Sequence, residues 1–406
     1  MKCFIYFILI VQLFTVGSGA EDENPPSQLS QMLAFIDSMQ NPANCTGLEY
    51  YISDMGTGGG FAAHFQLAAS QWMRALKLVE FKKPVIIQGK IWRYSEGKEC
   101  KKSGYDWTCF FEPVSRCQEE LLKTGKQIQV NVDSVVLDDK LIPKQFREVG
   151  LWRWWGTIQA YMFHRMKPKV MEYVIDKAST AKLPFLKHVN AAALSSGDIH
   201  EYYSPSPAAP LAGLHVRHGD KNSDGFKHHS LQAELGHVSK SSECLKDTDH
   251  RNSSETDNDN NKGEKGYKKC IVTDNTGVFG PIPVFVASDD PQVVSTARDS
   301  GYYTLQAAGF SISTHTGSAG MFTALGAHPE LGYNASMEII ADIYMLSRCS
   351  TLIGIASSQI FRMAVDLSKA VGRLHYVVAM DHEQLPRMHA MSNKYHLPTP
   401  EHFEAP

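Results

Sequence analysis

Leu211-Ala212-Gly213-Leu214-His215-Val216-Arg217-His218-Gly219-Asp220-Lys221 is an apolar run that delivers a cluster of charge onto a turn. Residues 211–216 read as a buried strand of a parallel sheet, and ligands of such sheets sit outside the carboxyl ends of the strands. Arg217 and Lys221 fall at that edge. A guanidinium is a planar fork that matches phosphate oxygens bidentately, and at a strand end it balances the charge that develops when a diphosphate departs. The chemistry this arrangement suggests first is glycosyl transfer from a nucleotide sugar.

Outward from this run the pattern is α/β. Strands are expected at 211–216, 282–287 and 351–355, and helices at 291–299, 337–347 and 359–370. Such alternation indicates a doubly wound parallel sheet. Upstream, the first regular element is expected within 31–40. The glycine-rich turn 56–60 leads into apolar residues at helical spacing over 61–79, and strands are expected at 84–88 and 128–137. A helical region over 148–176 breaks near Pro168, and its Trp152, Trp154 and Trp155 read as core rather than as a sugar platform. Pro205-Ser206-Pro207-Ala208-Ala209-Pro210 reads as an interdomain linker. The expected organisation is a signal segment at 1–20 and an N-terminal α/β domain at 21–205. A C-terminal Rossmann-like domain at 206–375, with a polar insertion at 239–269, precedes a tail at 376–406.

The whole chain bounds the function. Its 406 residues exceed the size at which a single core keeps growing, so two domains are expected. With 43% apolar and 20% charged residues and a net charge of -3, it lacks the basic balance of a nucleic-acid or anionic-membrane binder. Lys2, the apolar segment 4–16 and Gly-Ser-Gly-Ala before Glu21 have the layout of a secretory signal. Cleavage after Ala20 is the expectation; against the alternative, an uncleaved anchor, the apolar run is shorter than the roughly 20 residues of a spanning helix, and with no other segment long and apolar enough, any membrane attachment would be through residues 1–20. The expected location is the lumen of the Golgi or endoplasmic reticulum, or outside the cell.

Seven cysteines follow the signal: Cys45, Cys100, Cys109, Cys117, Cys244, Cys270 and Cys349. Cys349 is the best candidate for a buried free thiol. Cys244 and Cys270 would close a loop, and the other four are left without an assigned connectivity. Sequons occur at Asn44, Asn252 and Asn334. Two D-x-D triplets, at 247–249 and 257–259, lie in a low-complexity stretch with no preceding strand and are read as solvated surface rather than as a metal site.

Three segments converge on chemistry: 215–224; Ala287-Ser288-Asp289-Asp290; and 342–359, ending in Ser357-Ser358-Gln359 at a helix start. Serines there are caps on the simplest reading, although the same geometry binds phosphate or ribose. Asp342 lies on an otherwise apolar helix and must find donors, of which a guanine base offers two. The ordered motifs His215-Val216-Arg217-x-x-Asp220-Lys221, Ala287-Ser288-Asp289-Asp290-Pro291, Asp342-Ile343 and Ser357-Ser358-Gln359-x-x-Arg362 resemble those of the α1,6-fucosyltransferases and the related nodulation fucosyltransferases. Trp92-Arg93-Tyr94 and Phe111-Glu112-Pro113-Val114-Ser115 resemble the same family's N-terminal segment.

The resemblance implies a GT-B-like fold of two Rossmann-like domains and inverting transfer of fucose from GDP-fucose to a glycan or glycoprotein hydroxyl, α1,6 on GlcNAc. It implies no metal and no cofactor beyond the donor. By the same match His215 and Arg217 contact the GDP phosphates, Asp342 reads guanine, and Tyr94 lies near the nucleotide. Ser357, Ser358 and Gln359 hold phosphate or sugar, and Asp220, Asp289 and Asp290 belong to the binding site. Lys221 orients a carboxylate base, for which Asp224 is the nearest candidate.

The chain departs from the family pattern at His218, where a second arginine is usual, and at Gly219. Asp224 stands one position before the family's glutamate, with Gly225 at the aligned place. The animal enzyme's long N-terminal helices and SH3-like C-terminal domain are not expected from this sequence. Arg217-His218-Gly219 also matches the tripeptide of secreted histidine acid phosphatases, with Asp381-His382-Glu383 as the distal acid. The displaced base admits a third reading, a GDP-sugar-binding or glycan-binding protein without catalysis.

Overall fold

The computed structural model describes residues 27–54, 60–88, 92–128, 135, 138–181, 212–217, 284–305, 325, 328–372, 374 and 376–380. The signal segment, the 205–210 linker, the polar insertion with its cysteines and D-x-D triplets, and nearly all of the 128–137 run lie outside them.

In chain order the elements are α1 (Gln28–Gln40), β1 (Glu49–Asp54), α2 (Phe61–Leu78), β2 (Val85–Gln88), α3 (Gln118–Thr124), β3 (Lys126–Gln127), α4 (Gly150–Phe163), α5 (Pro168–Thr180), β4 (Ala212–Val216), β5 (Val284–Ser288), α6 (Pro291–Asp299), β6 (Tyr303–Thr304), α7 (Gly332–Leu346), β7 (Thr351–Gly354), α8 (Gln359–Ala370) and β8 (Tyr376–Ala379). They build two parallel sheets, β2-β1-β3 and β6-β5-β4-β7-β8. The α/β class with doubly wound parallel sheets is thus observed. Two differences from the sequence reading are clear. A strand, β1, precedes the glycine-rich turn. β8 completes an edge of the second sheet, which therefore extends past residue 375, where the tail was expected to begin.

β4 is buried along its whole length, and its side chains divide by period two. Leu214 and Val216 join Val286, Val293 and Ala297 on the α6 side of the sheet. Gly213 faces the other way, where a Cβ would stand 2.8 Å from Cys349 Sγ and 2.9 Å from Leu352 Cδ2. Phe285 and Ala287 of β5 belong to that second face, in the main core. Cys349 is buried and free, as expected.

The main core does not stop at a domain boundary. One cluster holds Trp72 of α2, Trp154 and Trp155 of α4, Ile339 and Ile343 of α7, and Phe361 and Met363 of α8. Trp154 and Trp155 are core, as read, and Trp152 packs partly buried against it. Gly156 of α4 lets α8 approach closely, since a Cβ there would meet the Asp366 carbonyl oxygen at 2.6 Å. The Asp366 carboxylate accepts hydrogen bonds from Trp155 Nε1 at 3.1 Å and Gln159 Nε2 at 2.7 Å. Residues more than 200 apart in sequence are thereby fixed together, and α8 is held at one angle.

Two disulfides resolve the connectivity left open above. Cys45–Cys117 ties the loop after α1 to the start of α3, and Cys100–Cys109 closes a nine-residue separation.

Burial lifts the Asp366 carboxyl from 3.8 to about 6, against the opposing pull of Gln159, Arg362 and Trp155. A folded value above the unfolded one means that the native state holds the proton more tightly. Stability from this group is therefore full below pH 4 and is lost as the pH rises through 6, by on the order of 3 kcal/mol. Asp366→Asn keeps an acceptor oxygen and removes the titration. The difference in unfolding free energy between mutant and wild type, measured by denaturant at several pH values, should grow in the mutant's favour from pH 4 to 6.5; a constant difference would refute the assignment.

Candidate active site

The order β6-β5-β4-β7-β8 fixes the place to look. From β4 the chain winds outward through β5 and β6, then returns to the opposite side of β4 for β7 and β8. Neighbouring connections therefore leave β4 and β7 in opposite directions and open a crevice at their carboxyl ends, the usual ligand position in such sheets. Val216 of β4 pairs with Ser288 of β5, and His215 pairs with Gly354 of β7, so all three strands end at nearly the same level.

Several of the expected residues lie around this crevice. His215 is only 3% exposed, and its ring lies nearly parallel to Phe361 of α8, with centroids 6.3 Å apart. Gly354 permits that packing, because a Cβ would fall 2.8 Å from Phe361 Cδ2 and 3.0 Å from the His215 carbonyl oxygen. One residue on, Arg217 Nη1 bridges to Asp289 Oδ2 at the end of β5, with the two side chains 14% and 9% exposed. Arg217 is thus held by a strand-end carboxylate through one of its guanidinium nitrogens.

Asp342 of α7 is 3% exposed and lies within electrostatic reach of Asp289 and of Glu338, one turn earlier on the same helix. Burial first, then those two carboxylates, hold its carboxyl well above the usual range, and no hydrogen bond from a described residue offsets this. Burial, Glu338 and Asp342 also push up the Tyr173 hydroxyl of α5. Glu338 and Tyr173 were not among the residues singled out from sequence. The i, i+4 spacing of Glu338 and Asp342, an unfavourable like-charge pair on a helix, was the signal available.

The third wall is the start of α8. Ser357 and Ser358 are buried, and Ser358 occupies the N-cap position without a side-chain capping bond. The expected side-chain cap is thus absent at the start of this twelve-residue helix, which follows β7 in the chain. Gln359 Oε1 is buried without a hydrogen-bond partner among the described residues. Arg362, in the next turn, is also buried.

Two expected residues have other work. Asp290 is the N-cap of α6, its Oδ1 accepting from Gln292 N–H at 2.8 Å with Pro291 at the first helical position. The expected contact of Asp290 with substrate would be made alongside this capping role. Tyr94 is 1% exposed in an aromatic cluster with Phe61 and Trp92, and its carbonyl accepts from Ser336 Oγ of α7 at 2.7 Å. Its hydroxyl would lie 3.7 Å from a Cβ on Gly60, so it stands at the end of the glycine-rich turn that β1 leads into. Asp220, Lys221 and Asp224 lie outside the described residues, as do His218 and the 381–383 triplet. Among the described residues no three His, Cys, Asp or Glu side chains converge to hold a metal ion, and no helix is long and apolar enough to cross a membrane.

No protein-family model matches the chain. No curated protein sequence matches it. Among solved structures it is similar to NodZ alpha-1,6-fucosyltransferase soaked with GDP-fucose, at 14% identity over 83% of this chain and 96% of that one, with a TM-score of 0.39. A selenomethionine form of the fucosyltransferase NodZ from Bradyrhizobium gives the same values. POFUT1 in complex with GDP matches at 9% identity over 83% of this chain and 98% of that one, with a TM-score of 0.32. Likeness at these values assigns no activity to this chain.

The Arg217–Asp289 pair can be tested without a ligand. A double-mutant cycle with Arg217→Met and Asp289→Asn, read by urea unfolding, should give a coupling of roughly 1–3 kcal/mol. Additive single effects would mean that the pair does not fix the arginine.

Proposed function

We propose that this chain is a glycosyltransferase that moves fucose from GDP-fucose to a glycan hydroxyl, with α1,6 linkage to GlcNAc, by inverting displacement without a metal ion. The working location is the lumen of the secretory pathway. What supports the reading is the β4–β7 switch point, where Arg217 is paired with Asp289 just past β4 and α8 starts after β7 with no side-chain capping bond on Ser358. Both are fixed positive features suited to a diphosphate. The ordered motifs of the sequence supply the choice of guanine and fucose.

In this reading Arg217, steadied by Asp289, donates to the β-phosphate and stabilises the charge that forms on it as the C1–O bond breaks. Ser357, Ser358 and the first N–H groups of α8 bind the remaining phosphate oxygens. His215, stacked on Phe361, borders the nucleotide. Asp342 accepts from the guanine N–H groups, and in doing so gains donors that no described residue supplies. A carboxylate, Asp224 with Lys221 beside it, takes the proton from the acceptor hydroxyl as that oxygen attacks the anomeric carbon from the face opposite GDP.

Transfer of labelled fucose from GDP-fucose to an N-glycan core, assayed in EDTA, tests the reaction. Arg217→Ala should lower the rate about a hundred- to thousandfold without unfolding the protein. A fully active variant, or turnover of p-nitrophenyl phosphate in place of transfer, would overturn the assignment, and nucleotide binding without donor turnover would leave a binding protein.

Asp342 provides a second check. Donors from guanine favour its charged form, so binding lowers its pKa and expels a proton, and affinity for GDP should rise with pH through the raised value. Calorimetry over a pH series, in buffers of differing ionisation enthalpy, should detect proton release that is absent in Asp342→Asn. Equal proton release in the two proteins would remove Asp342 from the guanine site.

A further inference from the structure

The function proposed above leaves the sequons unused, and the structure separates the two that it describes. Asn334 lies in the first turn of α7, and the hydroxyl of its Ser336 is fully buried, donating to the Tyr94 carbonyl. Once α7 has packed, that sequon cannot be read in extended form. Asn334 itself is exposed, and the constraint lies in its buried Ser336; at Asn44 neither the asparagine nor the hydroxyl residue is buried. Asn44 lies in the loop between α1 and β1, exposed, as is Thr46. The Asn44 side-chain oxygen accepts the Thr46 backbone N–H at 2.9 Å, an Asx turn that directs the amide nitrogen away from the chain. A large substituent there would meet solvent.

The intervening Cys45 sets the timing. Its partner Cys117 comes 72 residues later. At about 5–20 residues per second of synthesis, the loop stays unlinked for roughly 4–14 s after Cys45 is made. The sequon is thus open during synthesis and remains at the surface after the disulfide closes.

We infer that Asn44 is an N-glycan attachment site and that Asn334 is not. The inference rests on the lumenal placement and not on the fucosyl-transfer reading. The co-substrate is an oligosaccharide linked to a polyisoprenyl diphosphate, with the host's oligosaccharide transferase as catalyst. Asn44 Nδ2 forms a bond to the anomeric carbon, the bond from that carbon to the diphosphate oxygen breaks, and the polyisoprenyl diphosphate leaves with its electron pair. The amide proton passes to a base of the transferase.

The test is expression of the full chain in an animal cell line and recovery of the chain from the secretory lumen. Enzymatic deglycosylation in heavy-oxygen water and peptide mass spectrometry then read each sequon. Asn44 should carry the label in most chains and Asn334 should not. Asn44→Gln and Thr46→Ala should each remove one glycan from the gel mobility, and Thr46→Ser should retain it. A lumenal chain with Asn44 bare, or with Asn334 occupied as fully as Asn44, would overturn this inference alone. A chain found only in the cytosol would overturn the lumenal placement together with it.

Discussion

Everything at the candidate site depends on β4 being hydrogen-bonded along both edges. With β5 on one side and β7 on the other, its five residues have no solvent-facing edge or face, and the chain first leaves this pairing at its carboxyl end. Arg217 is the first residue free of that constraint. It meets Asp289, which leaves β5 at the register of the paired Val216 and Ser288. A parallel sheet thus converts strand pairing into the placement of charge: side chains that follow aligned strands must gather at one rim.

The helices make that rim a site by fixing its other walls. α8 is gripped from the far side of the core, where Gly156 admits it and Asp366 bonds to Trp155 and Gln159. Its N-terminus is therefore positioned by contacts near its middle. α7 brings Asp342 under the same rim at an electrostatic cost, since a buried carboxyl near two others opposes folding while it is charged. A group held in this state gains most from a ligand that supplies hydrogen-bond donors. Unrelieved burial of this kind is characteristic of sites whose partner arrives from solution.

Legibility in the sequence followed the range of the forces involved. α6 and α8 were readable to the residue because their signals are local: Asp290-Pro291 begins one and Ser358-Gln359 the other. β1 was missed because Glu-Tyr-Tyr-Ile-Ser-Asp shows no period-two alternation, and β8 because a four-residue run near the end of the pattern resembles a tail. α7 begins at Gly332, five residues before the expected start, where a Cβ would stand 2.6 Å from the Arg93 carbonyl oxygen; that requirement belongs to packing. Of the site, the strand-end residues were legible as a group. The separate roles of Asp289 and Asp290 were not, because adjacent carboxylates differ only in which way the backbone turns them. The single core running through both halves was illegible for the same kind of reason, as it joins α4 to α8 across some 200 residues.

The central claim is that the β4–β7 crevice binds a guanosine diphosphate through Arg217. Calorimetric titration of the purified protein in EDTA with GDP-fucose, GDP-mannose and UDP-GlcNAc tests it directly. Binding of the guanine nucleotides, no binding of the uridine nucleotide, and loss of binding in Arg217→Ala is the expected result. Absence of guanine-nucleotide binding by the folded wild-type protein would contradict it.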